Sequence, residues 1–202
     1  MLDLSLELAV NGRVAGIDEA GRGPWAGPVV AAALVFQPYV PTTLLQKIDD
    51  SKKLRPTVRA FLFEQLQEHA NIGIGIASVA EIDNLNILEA TMVAMQRALF
   101  KIGNTPDFVL VDGNKLPDLP CPARAIIRGD GLSLTIAAAS IVAKVTRDNL
   151  MIALAAQHPG YGWERNMGYG TAEHREALDV LGPSAVHRSN FAPVARAANL
   201  LK

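Results

Sequence analysis

The stretch Val14-Ala15-Gly16-Ile17-Asp18-Glu19-Ala20-Gly21-Arg22-Gly23-Pro24, with Gly27-Pro28 close behind, decides how this chain is read. Val14 to Ile17 is short, apolar and partly β-branched, the pattern of a buried strand, and it delivers two consecutive carboxylates into a glycine-rich loop. Strand ends are where α/β proteins place their chemistry. Successive strand residues point to opposite faces, so Asp18 and Glu19 are expected to share one site only if the strand stops or kinks there, a break that Gly21 and Gly23 make inexpensive.

Outward from that point, apolar runs alternate with helical patterns. Val29 to Phe36 is a second strand, expected to form a hairpin or ribbon with the first. Pro56 opens a helix to about His69, with Phe61, Leu62 and Leu66 on one stripe. Asn71 to Val79 alternates Ile with Gly or Ala, a strand weakened by glycine unless another backbone packs closely on it. Asn86 to Phe100 has helical spacing, Phe108 to Val111 is a buried strand running into Asp112-Gly113, and Ala125 to Ile127 is a short strand closed by Arg128-Gly129-Asp130-Gly131. Ser133 to about Gln157 is one long helix with an alanine face that suits close approach to a sheet, stopped by His158-Pro159-Gly160. A glycine- and aromatic-rich loop from Tyr161 to Tyr169, a helix from about Thr171 and a terminal segment from Phe191 complete the chain. The expectation is an α/β mixed sheet flanked by helices, residues 1–202 forming a single domain with a helical C-terminal extension over about 171–202.

Composition narrows the function. The 19 basic and 20 acidic residues exclude a uniformly cationic nucleic-acid coat, so a nucleic acid would have to be held on a local basic face. The lone Cys121 can form no internal disulfide, and no cysteine-histidine cluster points to zinc. Met1 to Val10 carries two acids and no base, the wrong polarity for a secretory signal, and no apolar stretch is long enough to span a bilayer; a cytoplasmic protein with no membrane association is expected.

Asp18, Glu19, Asp112 and Asp130 all fall at expected strand ends beside glycine. Taken singly, each is an ordinary turn or cap residue. Taken together, converging carboxylates repel one another unless a divalent cation compensates them, and an oxygen-only set favours Mg²⁺ or Mn²⁺. A pair of such ions suits in-line hydrolysis of a phosphodiester.

These segments, together with Asp50-Ser51-Lys52-Lys53-Leu54, Ile136-Ala137-Ala138-Ala139-Ser140-Ile141, Ala143-Lys144-Val145 and Gly168-Tyr169-Gly170-Thr171, resemble the ordered motif set of the type 2 ribonuclease H family from about Val14 to Val194. The resemblance implies a ribonuclease H-like core. It also implies endonucleolytic cutting of the RNA strand of RNA–DNA hybrids, including 5′ of single ribonucleotides embedded in duplex DNA, with 3′-hydroxyl and 5′-phosphate ends. It assigns the catalytic, metal-binding acids to Asp18, Glu19, Asp112 and Asp130. It gives Gly21, Arg22 and Gly23 the reading of the 2′-hydroxyl through backbone groups, and Tyr169 the packing against the following deoxyribose. A 2′-hydroxyl is what separates RNA from DNA at one nucleotide, and a glycine loop can bring backbone groups close enough to test it.

Lys52, Lys53 and Lys144 are implied to meet phosphates, and Lys144 and Arg147 occupy neighbouring turns of one helix. Ser140 either supports a phosphate or bonds back to the helix carbonyl four residues earlier. His174 and His187 are read as surface or capping residues, because two-metal hydrolysis needs no histidine base. Asn166-Met167 stands where related chains often carry His-Lys, which would remove one cation from the substrate side; Ser189-Asn190 replaces a usual Arg-Ser, and Gly131 a usual Ala or Ser. No obligate protein partner is evident. Two rival readings are a junction resolvase on the same core and a hybrid-binding protein without catalysis; the glycine motifs argue against the first and the intact acids against the second.

Overall fold

The computed structural model describes residues 2–200. Five strands form one mixed sheet in the order β3-β2-β1-β4-β5. They are β1 (Val14–Ala20), β2 (Val29–Phe36), β3 (Ala70–Ala77), β4 (Phe108–Asp112) and β5 (Ala123–Ile126). β1, β2 and β3 are antiparallel neighbours, as the expected ribbon requires, while β4 and β5 run parallel to β1. The helices are α1 (Ser5–Leu8), α2 (Thr42–Leu45), α3 (Pro56–His69), α4 (Val79–Leu85), α5 (Ile87–Lys101), α6 (Leu134–Gln157), α7 (Trp163–Asn166), α8 (Ala172–Leu181) and α9 (Ala192–Leu200).

Alternation along the strands builds two cores. Ala15 and Ile17 of β1 and Val109 and Val111 of β4 join Ala90, Ala94 and Ala98 of α5 on one face. On the other face, Ala32 and Leu34 of β2 meet α6 and α3, and Val14 and Leu110 meet Ile136. Small residues set the layer spacing. A Cβ at Gly73 or Gly75 of β3 would collide with the carbonyl oxygens of Ala98 or Ala94, and one at Gly16 with the Thr135–Ile136 backbone. The close backbone contact that a glycine-rich β3 needs is therefore supplied by α5.

The N-terminus of α6 is fixed twice. Ser133 caps it through Ile136 N–H, and Glu7 of α1 accepts from Ser133 Oγ (2.6 Å), Thr135 N (2.9 Å) and Thr135 Oγ1 (2.9 Å). A third apolar cluster joins Met151 of α6, Trp163 and Leu178 to Val194 and Ala197 of α9, with Ala26 from the glycine loop. Two expectations shift in register or kind. β5 ends at Ile126, so Asp130 sits in a separate 3₁₀ turn over Gly129–Gly131, and the loop after α6 contains the short α7. Among the described residues, no helix is long and apolar enough to cross a membrane.

Candidate active site

Sheet register brings the first two acids together. β1 and β4 pair as far as Ile17 opposite Val111, so Asp18 and Asp112 are the next residues on neighbouring parallel strands. Both alternate with residues of the α5-side core, which puts them on the α6 side. Glu19 leaves the opposite face. The strand does not stop at the acids, contrary to expectation: β1 stays paired with β2 to Ala20 opposite Val30. What ends is its pairing with β4, and the longer side chain of Glu19 reaches the site at that open edge. Carboxylate oxygens of Asp18, Glu19 and Asp112 lie within 4.8 Å of one another.

Asp130 stands beside this trio and outside its tightest grouping. Its turn is tied to Asp112 through Gly129 N–H, which donates to Asp112 Oδ1 at 2.7 Å. Arg128, just before the turn, adopts left-handed φ of 57°. Lys52 Nζ lies 3.4 Å from Asp130 Oδ2.

The electrostatics are those of crowded anions. Burial pushes Asp18 well above the usual carboxylate range, and repulsion from Glu19 and Asp112 adds to it. Glu19 is also raised, by burial first, with Arg22 opposing. Asp112 is raised by burial and by Asp130, against the stabilising Gly129 N–H. Partial burial works against a charged Lys52, yet the carboxylates of Asp130, Asp18 and Asp50 outweigh it and hold its ammonium above its usual range. An all-oxygen set that resists ionisation together fits a hard divalent cation, which removes the repulsion by binding.

The glycine loop beside the acids is held from beneath by two buried arginines. Arg188, fully buried, donates to five carbonyls: Gly21 O (2.5 Å), Arg22 O (2.9 Å), Pro24 O (2.7 Å), Gly27 O (3.0 Å) and Pro28 O (3.3 Å). Arg147, 1 % exposed, donates to Pro28 O (3.1 Å), Ala26 O (3.1 Å) and Met167 O (3.0 Å). Burial lowers both, Arg147 to about 10 and Arg188, which also feels Arg147, to about 9, so both stay charged at neutral pH. With the carbonyls engaged, the N–H groups of Arg22 and Gly23 have no acceptor among the described residues. Arg147 is thus a buried loop anchor and not part of a phosphate-facing surface. Helical periodicity could have shown this, since Arg147 shares a stripe with the buried Ala143 and Met151. Arg188 lies in irregular chain and offers no such signal.

Tyr169 is 45 % exposed, with its ring beside Gly23. Asn166 is buried and works inside the protein: its Nδ2 donates to Tyr161 O (2.8 Å) and its Oδ1 accepts from Gly168 N (2.8 Å), which shapes the turn into Tyr169. Ser189 and Asn190 bind Asp83 at the start of the C-terminal segment. The basic residues divide. Lys53 pairs with Asp49 at 3.1 Å in solvent, and Lys144 with Asp148 at 2.9 Å. Ser140 is buried; its hydroxyl donates to Ala137 O at 2.8 Å, three residues back, and accepts from Ser51 N at 3.4 Å. It therefore anchors the loop that carries Lys52. His174 and His187 are buried in an aromatic cluster with Tyr161 and Trp163, which corrects their reading as surface residues.

The Ribonuclease HII family model matches residues 15–194, the span that holds every one of these groups. The chain belongs to that family. It is 60 % identical over 200 residues to ribonuclease HII of Rhodospirillum rubrum, a match covering 98 % of this chain and 92 % of the relative. The crystal structure of ribonuclease H2 from Pyrococcus horikoshii OT3 superposes with a TM-score of 0.74 at 26 % identity, over 93 % of this chain and 98 % of that one. A crystal structure of Bst-RNase HIII in complex with Mn²⁺ shares the fold, with a TM-score of 0.74 at 17 % identity over 94 % of this chain and 70 % of that one. Ribonuclease HII membership makes the protein a hydrolytic nuclease, and the carboxylate trio is where divalent-metal dependence would reside.

Proposed function

We propose that this ribonuclease HII cuts the RNA strand of RNA–DNA hybrids, and cuts 5′ of a single ribonucleotide embedded in duplex DNA, leaving 3′-hydroxyl and 5′-phosphate ends. The observation that carries the reading is the convergence of Asp18, Glu19 and Asp112 within 4.8 Å, one loop away from unclaimed backbone donors at Arg22 and Gly23. Asp18, Glu19, Asp112 and Asp130 would hold two Mn²⁺ or Mg²⁺ ions. When bound, these supply a Lewis acid that activates water and neutralises charge on the departing 3′-oxygen. A relative on the same fold carries Mn²⁺, which supports that metal.

The protein's own residues do the selecting. Arg22 and Gly23 N–H groups address the 2′-hydroxyl, and the Gly21 turn brings the backbone there, with φ of 100° that only glycine adopts readily. The Tyr169 ring beside Gly23 accepts a deoxyribose on the 3′ side and crowds a ribose. Lys52 and Lys53 reach the backbone phosphates from the loop that Ser140 anchors, and Lys144, paired with Asp148, is the third cation in this reading to meet a phosphate. In this reading residues 1–202 work as one catalytic domain, with about 171–202 as its extension, in the cytoplasm and without an obligate protein partner.

A duplex with one embedded ribonucleotide tests the reading. Incubated with Mn²⁺ or with Mg²⁺, it should be nicked 5′ of the ribonucleotide, and a chelator should stop the reaction. Products ending in a 2′,3′-cyclic phosphate would contradict it, because the 2′-hydroxyl would then be the nucleophile. Cutting of branched all-DNA substrates in place of the ribonucleotide duplex would favour a junction resolvase.

A further inference from the structure

His174 and His187 take no part in the chemistry above, yet they are 0 % and 4 % exposed and every ring nitrogen has a partner. The partners dictate where the protons lie. His187 Nδ1 faces Ser184 N–H at 2.9 Å, and a backbone N–H can only donate, so Nδ1 accepts and the proton sits on Nε2. That Nε2 is 3.0 Å from His174 Nε2, which also receives the indole N–H of Trp163 at 3.1 Å. His174 Nε2 therefore accepts twice, and its proton sits on Nδ1, 3.0 Å from the carbonyl oxygen of Tyr169. Burial disfavours a charged ring at both sites, most strongly at His187, which is lowered to about 4. The chain of donors thus runs one way, from Ser184 through two neutral imidazoles to Tyr169.

Its end point matters. The Tyr169 N–H donates to Asn166 O at 2.9 Å, and its carbonyl also accepts from Thr171 N–H at 2.8 Å, so His174 completes a clamp on the residue whose ring lies beside Gly23. The same node ties the three segments of the substrate face: Trp25 N–H donates to Gly168 O, Gly27 N–H to Val186 O, and Ala26 bridges His187.

We propose that His174, oriented by His187, is a positioning residue for Tyr169, setting the phenol ring against Gly23 so that the gap favours a deoxyribose over a ribose. The proposal rests on the reading of Tyr169 as the residue that contacts the 3′ sugar.

The test compares kcat/KM on a duplex with one embedded ribonucleotide with kcat/KM on a hybrid whose whole strand is RNA. His174→Ala should lower that ratio roughly tenfold to 10²-fold, the scale of a small misplacement of a positioning group, and chiefly through kcat on the junction substrate. His174→Asn, whose amide can place an N–H near the position of Nδ1, should recover most of the ratio. Nitrogen-15 histidine spectra of the wild-type protein at neutral pH should show His174 protonated at Nδ1 and His187 at Nε2, a readout that needs no variant to fold. The opposite tautomers would overturn the proposal. So would an unchanged ratio in His174→Ala when Tyr169→Ala loses it. A ratio unchanged in Tyr169→Ala sinks the sugar-contact reading and the proposal with it, while leaving the proton order to be judged by the spectra alone.

Discussion

Asp112 serves two opposed ends: it accepts the Gly129 N–H that holds the Asp130 turn, and it adds charge to a site already strained by Asp18. Asp112→Asn keeps an acceptor oxygen for Gly129 and removes the charge. Activity should fall by more than about 10²-fold, the cost of losing one electrostatic stabiliser of a transition state, while melting temperature in chelator should hold or rise. The pH dependence follows from the sign of the shifts. Asp18, Glu19 and Asp112 have folded pKa values raised above the usual carboxylate range, so ionisation at high pH weakens the metal-free fold and protonation relieves it. The advantage of Asp112→Asn in chelator should be full at pH 8 and shrink as pH falls through the raised values toward 4. A large loss of stability at pH 8 would show that the carboxylate is structural. Sequence reading found these acids because each follows an apolar run. It placed His174 and His187 wrongly because a histidine's burial depends on segments that meet only in three dimensions.

At the scale of elements, packing distance governs. β3 carries Gly73 and Gly75 because α5 passes so close that a methyl group there would enter Ala98 O or Ala94 O. Gly75→Ala should cost about 1–3 kcal/mol, as overpacking a rigid contact does, measurable as a lower denaturation midpoint with the carboxylate site intact. Helices α3 and α6 were legible almost to the residue, since Pro56 opens one and the Ser133 cap and the His158-Pro159-Gly160 stop frame the other. The bounds of β5 were not. It is an edge strand of four residues, Ala123–Ile126, too short for alternation to declare itself. The expected break after Asp18 failed for a related reason: sequence shows a strand's residues but not which of its two edges loses its neighbour.

The molecule as a whole is closed by Arg188. Its five carbonyl bonds connect the C-terminal segment to the loop after β1, and Arg147 adds a second brace from the centre of α6. Arg188→Lys would put a three-donor ammonium where a five-donor fork belongs. Pro28 O keeps its bond from Arg147, so four carbonyls would compete for three donors and at least one would be left unpaired, at about 1–3 kcal/mol. The variant should melt earlier and lose activity on the embedded ribonucleotide even where it remains folded, whereas a rim lysine such as Lys53 should affect KM and salt sensitivity more than kcat. The Arg188 closure was invisible to pattern reading, because bonds from irregular chain to distant carbonyls leave no periodic trace, whereas the helical stripe of Ala143, Arg147 and Met151 marks the second brace as buried.

That closure also orders events in time. Gly21 leaves the ribosome early, but the guanidinium that seats its carbonyl lies 167 residues later. At about 5–20 residues per second the nascent loop waits roughly 8–33 s for its brace. Until Arg188 is made, the nascent loop lacks the support on which the proposed ribonucleotide recognition would depend.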